Sequence, residues 1–334
     1  MEPITHALAA WTLSRAGLNR ATKLATPILL VSGTLADADW LTYLLGPGAF
    51  LAGHRTAAHS ILGIVAVAAI VGSGFWWLGR RHPSMRVAFG KAVALAAAGA
   101  ALHVALDLVD AYGAKLLWPF GGWTAADLVA NMDPWVLLLL LAGLLVPAFF
   151  ALVADEVGAR KKAPSGRLGA ILALVLLALY IAGRGVLHAQ ATEALDARIY
   201  SGQMPRRVGA FPEAASPFTW HGIVETESSV HEAKVPLAPG TRFDPEAGTT
   251  VFKPEPSPIL EAARQTRAAG RFLSYARFPK ATVEKTAEGY TVTLRDLRFD
   301  ALGERNFGVM AVVELDAQGR VADEGLRFSN KTAR

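Results

Sequence analysis

Apolar residues dominate the first 188 positions in long runs with little charge between them. Positions 135–154 read WVLLLLLAGLLVPAFFALVA, and a bilayer-crossing helix needs ~20 such residues. Positions 61–79 are similar, and 168–183 are shorter but nearly pure aliphatic. Two more runs are apolar yet carry ionisable groups: 24–45 with Asp37 and Asp39, and 92–112 with His103, Asp107 and Asp110. Positions 4–18 read as a short first helix, too short to cross with ease. The pattern predicts a mainly α fold, a polytopic transmembrane bundle of five to six helices over residues 1–188.

Beyond residue 188 the period changes. Positions 186–200 continue the last membrane helix outward. Alternating, β-branched stretches then predict strands at 222–227, 249–253, 281–285, 289–294 and 307–315. Asp316-Ala317-Gln318-Gly319 is a turn signal before one more strand, and 257–272 reads as a single amphipathic helix. The expectation is a small α+β extramembrane domain over 189–334, with no convincing catalytic group of its own. His188, just before it, and its two histidines, His221 and His231, are expected at the surface.

Composition supports lipid as the solvent. Of the 334 residues 18% are charged, against roughly 25% in soluble domains. There is no cysteine, which excludes disulfides and thiolate metal sites. The start Met1–His6 is not basic, so no cleaved secretory signal is expected. An isoelectric point near 9.5 suggests nucleic acid at first sight, but the charge distribution excludes it. From Arg184 onward 20 Lys/Arg face 19 Asp/Glu, and the excess lies in 1–183, with 13 against 9. That excess falls in alternate loops: Arg20 and Lys23; Arg80, Arg81, Arg86 and Lys91; Arg160, Lys161, Lys162 and Arg167. The opposite loops hold only Arg55 and Lys115. By the positive-inside rule the basic loops face the cytoplasm, and both termini lie outside. His82, beside Arg80 and Arg81, then falls on the inner side as a solvated loop residue.

This orientation gathers metal-ligand residue types on the outer side: His6, Asp37, Asp39, His54, His59, His103, Asp107, Asp110, Asp127 and Asp133. An aspartate deep in a membrane helix costs about 2.5–3.5 kcal/mol on insertion scales, so several on one side call for a common cause. Imidazole and carboxylate groups suit borderline divalent cations. His103, Asp107 and Asp110 at i, i+4 and i+7 share one helix face. Arg55 and His59 stand one helical turn apart. Asp37 and Asp39 at i, i+2 point apart on a regular helix, so either the helix opens or one is a ligand and the other supports it. Against this stand a structural His103–Asp107 pair and a helix-capping role for Asp39. No metalloprotease His-Glu-x-x-His, serine-hydrolase elbow or phosphate-cradling glycine loop is present.

The stretches PITHALAAW (3–11), DAD (37–39), GHRTAAHS (53–60), HVALDLVDAYGAKLLWPF (103–120) and NMDPW (131–135), with FPEAASPFTWHGIVET (211–226) and ARFPKATVE (276–284), resemble the YdjM-like family of inner-membrane proteins, classed as metal-dependent hydrolases and LexA-regulated in some bacteria. The resemblance implies that His6, Asp37, Asp39, His54, His59, His103, Asp107 and Asp133 are the family's polar positions. Asp110 departs from the small polar residue expected there, which leaves its ligand role open. The spacing is also distantly similar to that of zinc-dependent phospholipase C. The resulting expectation is a multi-pass protein of the bacterial inner membrane with its C-terminal domain on the periplasmic side. His59, His103 and Asp107, then His6, Asp37 and His54, are the expected ligands of one or more divalent ions, zinc the expected metal. Asp39 or Asp133 would act as base or orienter, and Arg55 would clamp an anionic oxygen. The expected partners are membrane lipids and a lipid-linked or phosphorylated substrate. The rival reading is a non-enzymatic divalent-cation-binding carrier or envelope scaffold.

Overall fold

The computed structural model describes residues 1–156, 166–301 and 308–329. The basic residues Arg160, Lys161 and Lys162, expected in an inner loop, lie outside the described residues. The chain forms two compact units, Met1–Trp40 with Arg55–Gly185, and Leu41–His54 with Val186–Arg334.

The first unit holds the apolar helices. α1 (Pro3–Arg15) starts at a proline and is capped by the Glu2 carboxylate, which accepts from Thr5 N–H; both features favour a helix start. α2 (Ala25–Thr34) passes into a 3₁₀ run, Leu35–Leu45. α3 (Pro47–Gly53) belongs to the second unit. α4 (Ile61–Arg81) begins at Ser60, whose Oγ accepts from Gly63 N–H at 3.0 Å. α5 (Phe89–Val109), α6 (Pro134–Glu156) and α7 (Arg167–Asp196) complete the set. Among the described residues five segments are long and apolar enough to cross a membrane: Ala25–Leu45, Ile61–Arg81, Phe89–Val109, Pro134–Val153 and Arg167–Asp196. At 1.5 Å per residue α1 spans only ~20 Å and α7 ~45 Å. Large apolar side chains such as Leu138, Leu145, Phe149 and Phe150 on α6 stay exposed, as a face turned to hydrocarbon requires.

With no water to drive helices together, close contact of small residues does the packing. Gly99 of α5 meets α2 so tightly that an added Cβ would lie 2.2 Å from Ser32 Oγ and 2.9 Å from the Leu29 carbonyl oxygen. Gly33 of α2 likewise leaves no room beside Ala10 of α1. Ile28, Leu29, Val67, Val71, Leu95 and Ala96 fill the core between α2, α4 and α5.

The second unit has two four-stranded antiparallel sheets with strands in sequence order. The first contains β1 (Arg207–Pro212), β2 (Thr219–Glu225), β3 (Ser229–Pro236) and β4 (Thr249–Phe252). Its Trp220 and Val224 pack on Ala191 and Leu195 near the end of α7. α8 (Pro258–Arg264) and α9 (Arg267–Leu273) follow. β5 (Pro279–Lys285), β6 (Gly289–Asp296), α10 (Leu297–Ala301), β7 (Val309–Asp316) and β8 (Val321–Phe328) complete the chain. Leu260, Ala263 and Phe272 of α8 and α9 pack on Val292, Leu294 and Val313. Every strand expected from the alternation is present, with β1 and β3 in addition. The single helix expected at 257–272 is two: Thr266 Oγ1 accepts from Ala269 N–H at 3.3 Å and caps a fresh start.

Candidate metal centre

The candidate residues come from helix ends that alternate in direction. His6 lies near the start of α1, Asp37 just past the end of α2, His59 just before α4, and His103 with Asp107 in the last two turns of α5. Tight α2–α5 packing at Gly99 places His103, four residues further along, against the last turn of α2. There His103 Nδ1 donates to the Gly33 carbonyl at 2.8 Å. A carbonyl only accepts, so His103 carries its proton on Nδ1 and presents a lone pair at Nε2.

The Asp37/Asp39 alternative is resolved by the 3₁₀ run, which serves both sides of one ring. Asp39 Oδ2 lies 3.1 Å from His59 Nδ1, while Asp37 Oδ1 lies 3.9 Å from His59 Nε2 and 3.7 Å from His103 Nε2. With its Nδ1 turned to a carboxylate, His59 also directs Nε2 inward. His59 Nε2 and His103 Nε2 are 3.0 Å apart, and Asp107 Oδ2 is 3.1 and 3.2 Å from them. Asp107 Oδ2 makes no hydrogen bond despite its burial. Three buried ligand atoms thus face one another at hydrogen-bond distance, an arrangement that needs a positive charge among them, a proton or a cation. A tetrahedral ion with ligands at ~2.0–2.1 Å holds them roughly 3.3 Å apart, so the donor set fits. His6 Nε2 approaches the other oxygen, Asp107 Oδ1, at 3.2 Å, and its ring stacks on His103 at 3.7 Å. Two ligand groups result, His6–His103–Asp107 and Asp37–His59–His103. Burial alone would lower the His59 pKa, but the nearby carboxylates of Asp107, Asp37 and Asp39 raise it to about 10. In the metal-free protein a proton on His59 therefore takes the cation's place.

Arg55 is placed differently from the helical spacing expected. It sits in a loop with φ 53, followed by a single 3₁₀ turn, Ala57–His59, so it does not share a helix with His59. Its backbone N–H donates to Asp39 Oδ2 at 2.8 Å. Its Nη1 donates to both Asp110 oxygens at 2.9 and 2.7 Å, and its Nη2 to Met1 O and Asn131 Oδ1 at 3.1 Å each. Nη2 also lies 3.3 Å from Asp107 Oδ1. Burial would lower its pKa, but Asp107 and Asp110 more than offset this and raise it. The guanidinium, together with the Met1 ammonium, neutralises the two carboxylates. Asp110 itself departs from the shared helix face, because α5 ends at Val109 and Asp110 is extended. It accepts from Arg55 and from the N–H groups of Tyr112 and Gly113.

Asp133 and His54 belong to neither ligand group. Asp133 Oδ1 accepts from Trp135 and Val136 N–H at the start of α6, and Tyr180 donates to Oδ2 at 3.1 Å. His54 ends α3 in the second unit and stacks on Phe50 at 4.6 Å. In the second unit His231 is buried rather than superficial, between Ser229 Oγ at 2.9 Å and Thr250 Oγ1 at 2.8 Å. Sequence reasoning passed over Gly33, Asn131 and Tyr180. Only the Asn131-Met132-Asp133 motif hinted at any of them, because a backbone carbonyl has no residue-type signature.

Fold and centre together define a multi-pass membrane protein with a buried imidazole–carboxylate cluster. The chain belongs to the YdjM inner membrane protein family, whose model matches residues 1–191, more than half its length. Residues 258–333 match the YfhP C-terminal alpha/beta plait domain. No curated protein and no solved structure matches the chain.

Proposed function

We propose that this protein is a membrane-embedded, metal-dependent hydrolase of phosphoester or lipid-headgroup substrates at the outer face of the membrane. One observation carries the reading: the buried triangle of His59 Nε2, His103 Nε2 and Asp107 Oδ2, with edges of 3.0–3.2 Å. His59, His103 and Asp107 would hold a divalent ion, zinc by the chemistry of this donor set, with His6 and Asp37 completing the shell. Such an ion supplies Lewis acidity and lowers the pKa of water towards ~7. Asp39 orients the His59 ring through Nδ1, the kind of outer contact that fixes a ligand's tautomer. Arg55 holds Asp107 and Asp110 in place, and Asp133 anchors α6. The family's inner-membrane character supports the membrane itself, and the loop charges support placement of the centre and C-terminal domain on its periplasmic side.

A second reading has its own support. His6, His59, His103 and Asp107 are all buried to within 1%, which suits a structural ion in a non-enzymatic cation-binding protein. Metal analysis of the purified protein, with turnover of a small phosphodiester and of phospholipid, tests both. Metal lost in His103→Ala and Asp107→Asn but kept in His82→Ala, together with metal-dependent turnover, is the expected result. Full metal retention in the first two variants overturns the centre. Metal without turnover of any phosphoester leaves the structural ion.

A further inference from the structure

The second unit has a cleft of about 380 Å³ between the segment Leu45–Ala49, the start of α9 and β8. Small-molecule sites measure ~300–1,000 Å³. Arg267 and Arg271, one helical turn apart on α9, both line it. Neither guanidinium makes an ion pair or side-chain hydrogen bond within the described residues. The carboxylate in the same wall, Glu324, uses Oε2 to accept from Ala268 N–H at 3.2 Å and leaves both arginines uncompensated. Gly48 opens the opposite wall, since a Cβ there would meet nothing nearer than Leu326 at 3.9 Å and Arg271 Nη1 at 4.0 Å.

The cleft also has a fixed address along the chain. Its wall begins at Leu45, the last residue of the apolar span Ala25–Leu45, and both Leu44 and Leu45 are exposed. Paired guanidinium groups at the level where a span leaves the hydrocarbon match a phosphate group, because the planar fork binds two of its oxygens at once. We infer that the Arg267/Arg271 cleft binds a phosphate ester, and that its membrane-proximal wall favours the headgroup of an anionic phospholipid over a free phosphate. This site is independent of the buried His/Asp centre.

The test titrates the full-length protein in detergent with short-chain phosphatidylglycerol, short-chain phosphatidylcholine and inorganic phosphate. Saturable phosphatidylglycerol binding is expected, weakened at least tenfold in the double variant Arg267→Gln/Arg271→Gln. Gly48→Phe, which fills the cleft and keeps both charges, should weaken it likewise. Arg264→Gln, an exposed arginine outside the cleft, should stay within twofold of the wild type. Phosphatidylglycerol bound more than tenfold tighter than inorganic phosphate assigns the lipid, and equal affinity assigns a free phosphate ester. Equal binding of phosphatidylcholine, wild-type binding in the double variant, or an equal loss in Arg264→Gln overturns the site.

Discussion

Arg55→Lys separates a guanidinium that holds the protein together from one that meets a substrate. Lysine keeps the charge and can still reach Asp110, the partner at 2.7 Å. One ammonium cannot also serve Asn131 Oδ1 and Met1 O, which Arg55 Nη2 reaches at 3.1 Å each. Leaving the buried Met1 carbonyl unsatisfied costs about 1–3 kcal/mol, and the half-buried Asn131, which water can reach, adds less. Asp107, 3.3 Å from the same Nη2, would also be held less firmly, and metal affinity should fall with stability. Thermal and chemical denaturation in detergent measures the first effect, and chelator competition the second. A cycle with Asn131→Ala adds a check: the double variant should cost less than the sum of the singles by at least ~0.5 kcal/mol, as expected for groups in contact. Unchanged melting and metal content, with turnover reduced on the order of 10²-fold, would refute this argument and show that the fork serves the reacting anion.

Asp39→Asn keeps an acceptor for the Arg55 N–H but weakens the hold on His59 Nδ1, so metal affinity should drop 10- to 100-fold, measured by competition with a chromophoric chelator. Because loading must displace the proton from His59, whose pKa is raised to about 10, apparent affinity should fall about tenfold for each pH unit below that value; a flat profile between pH 6 and 8 would count against the cluster. Gly99→Ala puts a methyl against the Leu29 backbone and Ser32, and a loss of about 1–3 kcal/mol is expected, read as a lower melting temperature. A topology reporter fused after Arg334 should be active outside the cytoplasm and one at Lys162 inside; the reverse at either position would turn the whole centre to the other face.

The apolar runs by themselves determined that this chain crosses a membrane, and about where. Twenty uncharged residues have one low-energy arrangement in lipid, a helix that satisfies its own backbone, so 61–79 and 135–154 became α4 and α6 with only their ends shifted. His103 and Asp107 were legible too, since a spacing of four places two side chains on one helix face wherever that helix packs. The alternation in 281–285 and 289–294 announced β5 and β6 for the same local reason. What the linear order could not decide was everything set by approach between elements. Asp37 and Asp39 divide between the two nitrogens of His59 because the chain leaves α-helical geometry after Thr34, a change no propensity in that apolar run signals. Arg55 pairs with Asp110, 55 residues away, because α5 stops at Val109 and the loop from Gly53 turns through a positive φ. His103 is oriented by the Gly33 carbonyl, a group every residue carries, made specific only because Gly99 lets α2 and α5 come that close. Local chemistry thus supplied the ligand types, while contact between distant backbones set which lone pairs face one another.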